Sequence, residues 1–174
     1  MNTKNLVFMA LLVAVGAALY LVIPGYNGGM KPDFMLTMMF IGILLFPQAR
    51  NVFLLGGTTG VISGIFSSFP GGFVPNVIDK LVTAFVIYAI IVAFKSIRNN
   101  LVGSTVLAGI GTILSGTIFL SIAIFILGVD LPFSALFLTV VLPAVAMNGV
   151  AFFIIYPIVT TLLKRTSMKT AVTN

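Results

Sequence analysis

Apolar residues fill six long stretches of the chain, 6–23, 34–47, 51–68, 76–94, 101–127 and 132–163, and polar residues gather in the short joints between them. A bilayer core of about 30 Å needs roughly 20 apolar residues per helix at 1.5 Å rise. The pattern therefore predicts six transmembrane helices. The last stretch, 132–163, is too long for one straight span, since a helix of that length would measure about 48 Å. Pro143 removes a backbone donor and clashes with the preceding turn, so a break or kink is expected there. The sixth span is then 143–163, with 128–142 as an outside loop, helical in part. Segment 34–47 is short. Joint 24–33, "PGYNGGMKPD", reads as a flexible flap, and joint 69–75, "FPGGFVP", sets Phe69 and Phe73 either side of a Gly-Gly hinge.

Charge orients this bundle. With the joints numbered alternately from inside, the inner set carries Lys4, Arg50, Lys95, Arg98, Lys164, Arg165 and Lys169, with no acid. The outer set carries Lys31 and Lys80 with all three acidic residues, Asp33, Asp79 and Asp130. Seven positives against two place both termini in the cytoplasm by the positive-inside rule. Segment 6–23 follows Lys4 and lacks a small-x-small cleavage site after its apolar run, so it is expected to stay as the first helix rather than be removed.

Composition narrows the function. The 174 residues are 60% hydrophobic and 7% charged, with a mean hydropathy of +1.24, as befits one membrane domain over 1–174. The net charge of +6 sits in the cytoplasmic joints, so it reports topology rather than nucleic-acid binding. The chain has no Cys and no His. Disulfides, thiol and Ser-His catalysis and the usual transition-metal sites are thereby excluded. No enzyme and no cofactor is expected, and any energy coupling must come from an ion gradient or from partner subunits.

Small residues recur at four-residue spacing on three helices. Ala10, Ala14 and Ala18 mark the first, Gly56, Gly60 and Gly64 the third, and Ala108, Thr112 and Gly116 the fifth. Such stripes let helices approach closely in a membrane. Internal packing accounts for the third and fifth, whereas the first can equally serve an external partner.

The polar residues of the outer face form a candidate substrate site: Lys31, Asp33, Asn76, Asp79, Lys80 and Asn148. Asn76, Asp79, Lys80 and Thr83 share one broad face of the fourth helix by their three- and four-residue spacings. Charges at membrane depth mark substrate paths. A structural reading competes for several of them. Asn76 after Pro75 fits an N-cap with Asp79 completing a capping box, and Asp33 after Pro32 fits a cap for the second helix. Lys80 is opposed by both the helix dipole and the positive-inside rule, so it asks for an anion, either a neighbouring aspartate or a ligand carboxylate. Asn148, in an apolar helix, must hydrogen-bond to a neighbouring helix or to a ligand. A cation and an anion among apolar walls suit a zwitterion with a large apolar side chain, an amino acid being the simplest. Tyr26, Phe34, Phe69 or Phe73 would stack on an aromatic one.

These stretches carry a resemblance. "GGMKPDFMLTMMFIGILLFP" from Gly28, "PNVIDK" from Pro75, "GTILSG" from Gly111, "VLPA" from Val141 and "IIYPIV" from Ile154 resemble the TrpP family of bacterial tryptophan transporters. That family is counted among the substrate-binding (S) components of energy-coupling factor (ECF) transporters. The resemblance covers nearly the whole chain, and its polar runs "GGMKPD" and "PNVIDK" are the more specific. It implies an all-α, six-transmembrane-helix bundle of S-component type with both termini inside, in the bacterial cell membrane. It also implies that an Ala-x-x-x-Ala motif, here Ala10 and Ala14, docks on a transmembrane coupling (T) component driven by two cytosolic ATPase subunits. The ligand would be tryptophan, held near the outer surface.

Two other readings compete: a solitary ion-coupled secondary transporter of an aromatic amino acid or related indole, and a non-transport membrane scaffold. The first calls for a carboxylate deep in a span or paired broken helices in inverted halves, and neither is evident. Single cysteines test the orientation in this Cys-free chain. A Cys at Asn27 should react with an impermeant maleimide in intact cells and one at Thr170 should not; the reverse pattern would overturn the topology.

Overall fold

The computed structural model describes residues 3–24, 32–165 and 170–171, and every regular element among them is helical. Helix α1 spans Thr3–Val22, α2 Phe34–Leu45, α3 Ala49–Ile65 and α4 Phe73–Ala93. A 3₁₀ turn, Lys95–Asn99, leads to α5, Leu101–Ser121, which runs on through a π turn, Ile122–Ile126. The short α6, Phe133–Leu136, passes through a second π turn, Phe137–Val141, into α7, Leu142–Arg165.

Among the described residues, four continuous helical runs are long and apolar enough to cross a membrane: Thr3–Val22, Phe73–Ala93, Leu101–Ile126 and Phe133–Arg165. The six expected spans thus reduce to four on length and composition. Helix α3 has 17 residues and α2 only 12, about 18 Å of helix. All 12 residues of α2 are buried. A helix wrapped by its neighbours meets no lipid, so its own length need not match the hydrocarbon thickness. Met39, Ile41, Ile43 and Leu45, each fully buried, fill the centre of the core against Val52, Ile87, Phe152 and Leu163.

The stretch after α5 departs from the expected loop. Only residues 127–132 lack regular structure, and the helix that starts at Phe133 continues through Pro143. The π turn explains this. Leu142 N–H bonds back five residues to the carbonyl of Phe137, which widens the helix just before the proline ring must fit.

Glycines set the close contacts. A Cβ on Gly60 would stand 2.9 Å from the Val77 Cα, and one on Gly56 3.0 Å from the Ala84 Cβ. Gly64 likewise lies under Phe73, so α3 and α4 form a tight antiparallel hairpin. Gly71, with φ +66°, makes the reversal between them. Gly116 abuts Val141 and Gly111 abuts Phe40, so the α5 stripe is also used inside the molecule. In α1 the roles divide: Gly16 faces α2, 3.1 Å from the Met35 Cα for an added Cβ, whereas Ala10, Ala14 and Ala18 face outward.

Antiparallel packing sorts the chain into two ends. Phe8 meets Phe46 edge-on at 6.0 Å, the Tyr156 hydroxyl donates to the Arg98 carbonyl at 2.8 Å, and Ala171 N–H donates to the Leu45 carbonyl at 3.0 Å. Lys4, Arg50, Lys95, Arg98, Lys164 and Arg165 belong to this end, while Asp33, Asp79, Lys80 and Asp130 belong to the other. Thr170 is buried there, so exposed Lys164 is the better cysteine position for testing this end.

The hairpin packing is testable. Gly60→Ala forces α3 and α4 apart and should lower stability by about 1–3 kcal/mol, read as thermal unfolding in detergent. Gly57→Ala, where the nearest atom is the Leu81 Cδ2 at 3.9 Å, should be neutral or slightly stabilising. Equal effects would contradict this account of the contact.

Candidate functional site

Two buried ionic residues, next to each other on α4, begin the site. Neighbours on a helix point about 100° apart, but the lysine stem is long enough to turn its ammonium back. Lys80 Nζ lies 2.8 Å from Asp79 Oδ2. The Ser115 hydroxyl, from α5, donates to the same Asp79 oxygen at 2.9 Å and stands 3.2 Å from the ammonium. The Thr83 hydroxyl, one turn along α4, donates to Asp79 Oδ1 at 3.0 Å. Both oxygens of Asp79 are engaged, and the residue is 0% exposed.

The third charge arrives from α2. Asp33 caps that helix, its Oδ1 accepting from Leu36 N–H at 2.9 Å, while its Oδ2 lies 3.1 Å from Lys80 Nζ. The Asp33 backbone N–H donates to Asn148 Oδ1 at 2.7 Å, and Asn148 Nδ2 donates to the Thr112 hydroxyl at 3.2 Å. Asn148 thereby ties the start of α2 to α5 and α7, which is the interhelical alternative left open by the sequence. The anions that answer Lys80 are two aspartates of the chain itself. Two carboxylates face one ammonium; Asp79 and Lys80 are buried, whereas the Asp33 side chain keeps partial exposure. Removing Lys80 would leave two facing carboxylates without a counter-charge, which is strongly unfavourable, whereas removing Asp33 leaves the Asp79–Lys80 pair.

This cluster forms one wall of a cavity of about 350 Å³, within the range of roughly 300–1,000 Å³ usual for small-molecule sites. Asp33, Asn76, Asp79, Lys80, Ser115 and Asn148 line its polar side. Leu36, Phe69, Phe119, Val140, Val141 and Met147 are prominent on its apolar side. Phe69 and Phe119 meet edge to face, centroids 5.2 Å apart at 81°, and fix an aromatic corner. Such a space can hold a flat apolar group against the rings while a charged group meets the cluster.

Several expectations need correcting. Asn76 is not an N-cap: α4 begins at Phe73, and the Asn76 amide donates back to the Gly72 carbonyl at 2.7 Å. Asp79 is in the second turn, so it completes no capping box. Phe34 is buried away from the cavity, and Phe73 covers Gly64. Lys31 and Tyr26 lie outside the described residues. Sequence reasoning missed Tyr20, Ser63, Thr112, Ser115 and Phe119 as lining residues. A signal existed: "SGIF" from Ser63 and "SGTIF" from Ser115 each place a serine on a helix face next to the end that carries the charged cluster.

Comparison with known proteins identifies the family. The family model described as tryptophan transporter TrpP matches residues 2–164. A probable tryptophan transport protein of Bacillus subtilis is 52% identical over 171 residues, covering 98% of this chain and 99% of the relative. Proteins of the same description from Clostridium acetobutylicum and Clostridium perfringens are 39% and 38% identical, covering 90% and 96% of this chain and 91% and 97% of their own lengths. No solved structure matches. These relatives are described as transport proteins rather than enzymes, and the helical runs are those of a multi-pass membrane protein. The match over nearly its full length makes this chain a member of the TrpP tryptophan transporter family.

Proposed function

We propose that the chain is the membrane-embedded S component of an ECF-type importer, capturing tryptophan at the outer face for ATP-driven uptake by partner subunits. The observation that carries the reading is the Asp79–Lys80–Asp33 cluster opening onto a cavity with an aromatic corner. A polar wall for the amino-acid head and an apolar wall for the indole are what tryptophan requires, and the family and its relatives point to the same ligand. In this reading Asp33, Asn76, Asp79, Lys80 and Asn148 are the substrate-side residues, with Lys31, two positions before Asp33 in the sequence, added to them. The six helical stretches form the bundle, the cluster end faces outward and both termini face the cytoplasm. The excess of basic residues at the opposite end supports that orientation.

Coupling would use α1. Its Ala10 and Ala14 face away from the rest of the chain, while Gly16 supplies the internal contact with α2. A smooth outward stripe in a membrane helix suits close approach of another helix, here that of the T component, which two ATPases would drive.

One experiment separates capture from coupling. The chain contains no Trp, so the fluorescence of bound tryptophan is read against a weak protein background. The purified protein should bind tryptophan saturably, and Ala14→Leu should leave that binding intact while uptake in cells falls at least tenfold. Equal loss of binding and uptake would put the stripe inside the bundle. Uptake that survives loss of the ATPases and collapses with an uncoupler would replace this reading with an ion-coupled transporter.

A further inference from the structure

The site is already satisfied by its own residues. An ammonium has three donors, and those of Lys80 face Asp79, Asp33 and Ser115 at 2.8, 3.1 and 3.2 Å. A ligand carboxylate finds no free donor on Lys80 unless one of these partners withdraws. Asp79 cannot withdraw readily, since it is rooted within α4, wholly buried and held by Thr83 and Ser115. Asp33 differs in every respect. Its side chain is 29% exposed, it lines the cavity, and it stands in the turn before α2 rather than within a helix. Only its Oδ2 meets Lys80, while Oδ1 caps the helix.

We propose that the Asp33–Lys80 ion pair is a placeholder that a zwitterionic ligand opens and replaces. The ligand ammonium takes Asp33 Oδ2, and the ligand carboxylate takes the Lys80 donor that Asp33 releases. Asp79 and Ser115 keep Lys80 in position throughout.

Charge decides which ligands can make this exchange. With both carboxylates ionised the cluster carries a net charge of −1, and a zwitterion adds none, so the buried charge is the same before and after. Each separated charge also regains an opposite partner, as burial demands. An amine without a carboxylate satisfies Asp33 but leaves Lys80 short of a partner. A carboxylate without an amine raises the buried charge to −2 and strands Asp33. The pair thus selects an α-amino acid over the corresponding amine and acid by penalising both alternatives. The acid suffers most, because the surplus charge is already negative.

This inference rests on the tryptophan reading and is tested with the full-length protein. Tryptophan, tryptamine and indole-3-propionate are titrated against the wild type and Asp33→Asn. Asparagine is as good an N-cap as aspartate, so the start of α2 is preserved, and an unchanged unfolding temperature without ligand checks this. On the wild type, tryptamine should bind roughly ten- to a hundredfold more weakly than tryptophan, and indole-3-propionate more weakly still. In Asp33→Asn, tryptophan and tryptamine should each lose about tenfold or more. Indole-3-propionate should gain, because Lys80 is released from its competitor and the cluster becomes neutral. Parallel weakening of all three ligands, or tryptophan binding unchanged by the substitution, overturns the exchange while leaving the transport reading standing. Failure of tryptophan to bind the wild type overturns the transport reading itself.

Discussion

Two carboxylates and one ammonium, buried at one end of an otherwise apolar bundle, impose the condition to which the surrounding structure answers. Charges can be held there only if each finds an opposite charge and its remaining hydrogen-bonding capacity is met. Asp79 and Lys80 meet on α4, Asp33 joins them from α2, and Ser115 from α5 bonds Asp79 beside the Lys80 ammonium. Asn148 then fixes the backbone of Asp33 from α7. Four helices are tied together at one level by these polar groups, and below that level the packing is almost wholly apolar. Small residues allow this convergence, since Gly56 and Gly60 let α3 lie flat against the backbone of α4.

The same arrangement divides labour between the helices. Helix α2 is the buried axis and presents Asp33 at its start. Helices α4, α5 and α7 build the cavity walls with the π turn before Pro143, which brings Val140 and Val141 to the cavity beside Met147 of α7 without breaking the helical run. Helix α1 contributes Tyr20 to the cavity but shows much of its surface outward. A helix that reaches both the site and a free outer face is well placed to connect ligand capture with a partner in the membrane.

Much of this was legible in the sequence, for physical reasons. Apolar length and the asymmetry of basic residues follow directly from the bilayer, so helix positions and the sorting of charge between the ends were readable. Asp33, Asp79, Lys80 and Asn148 stood out because charges and amides are costly in apolar segments, and the structure brings them together. What was not legible depends on tertiary geometry. Ser115 and Thr112 look like ordinary small residues until α4 and α7 are placed beside them. Asn76 looked like a cap because Pro75 precedes it, yet the helix begins earlier, as proline is well tolerated within a first turn. Segment 34–47 stood out in the sequence only as short, and that all 12 residues of α2 are covered follows from the placing of its neighbours.

The central claim is that the charged cluster marks an outward-facing tryptophan site. Ser68 is exposed, lines the same cavity and can be replaced in a chain with no cysteine. Ser68→Cys should react with an impermeant maleimide in intact cells, and tryptophan, unlike an aliphatic amino acid, should slow that reaction severalfold. Labelling that ignores tryptophan, or that occurs only after the membrane is opened, would contradict the account.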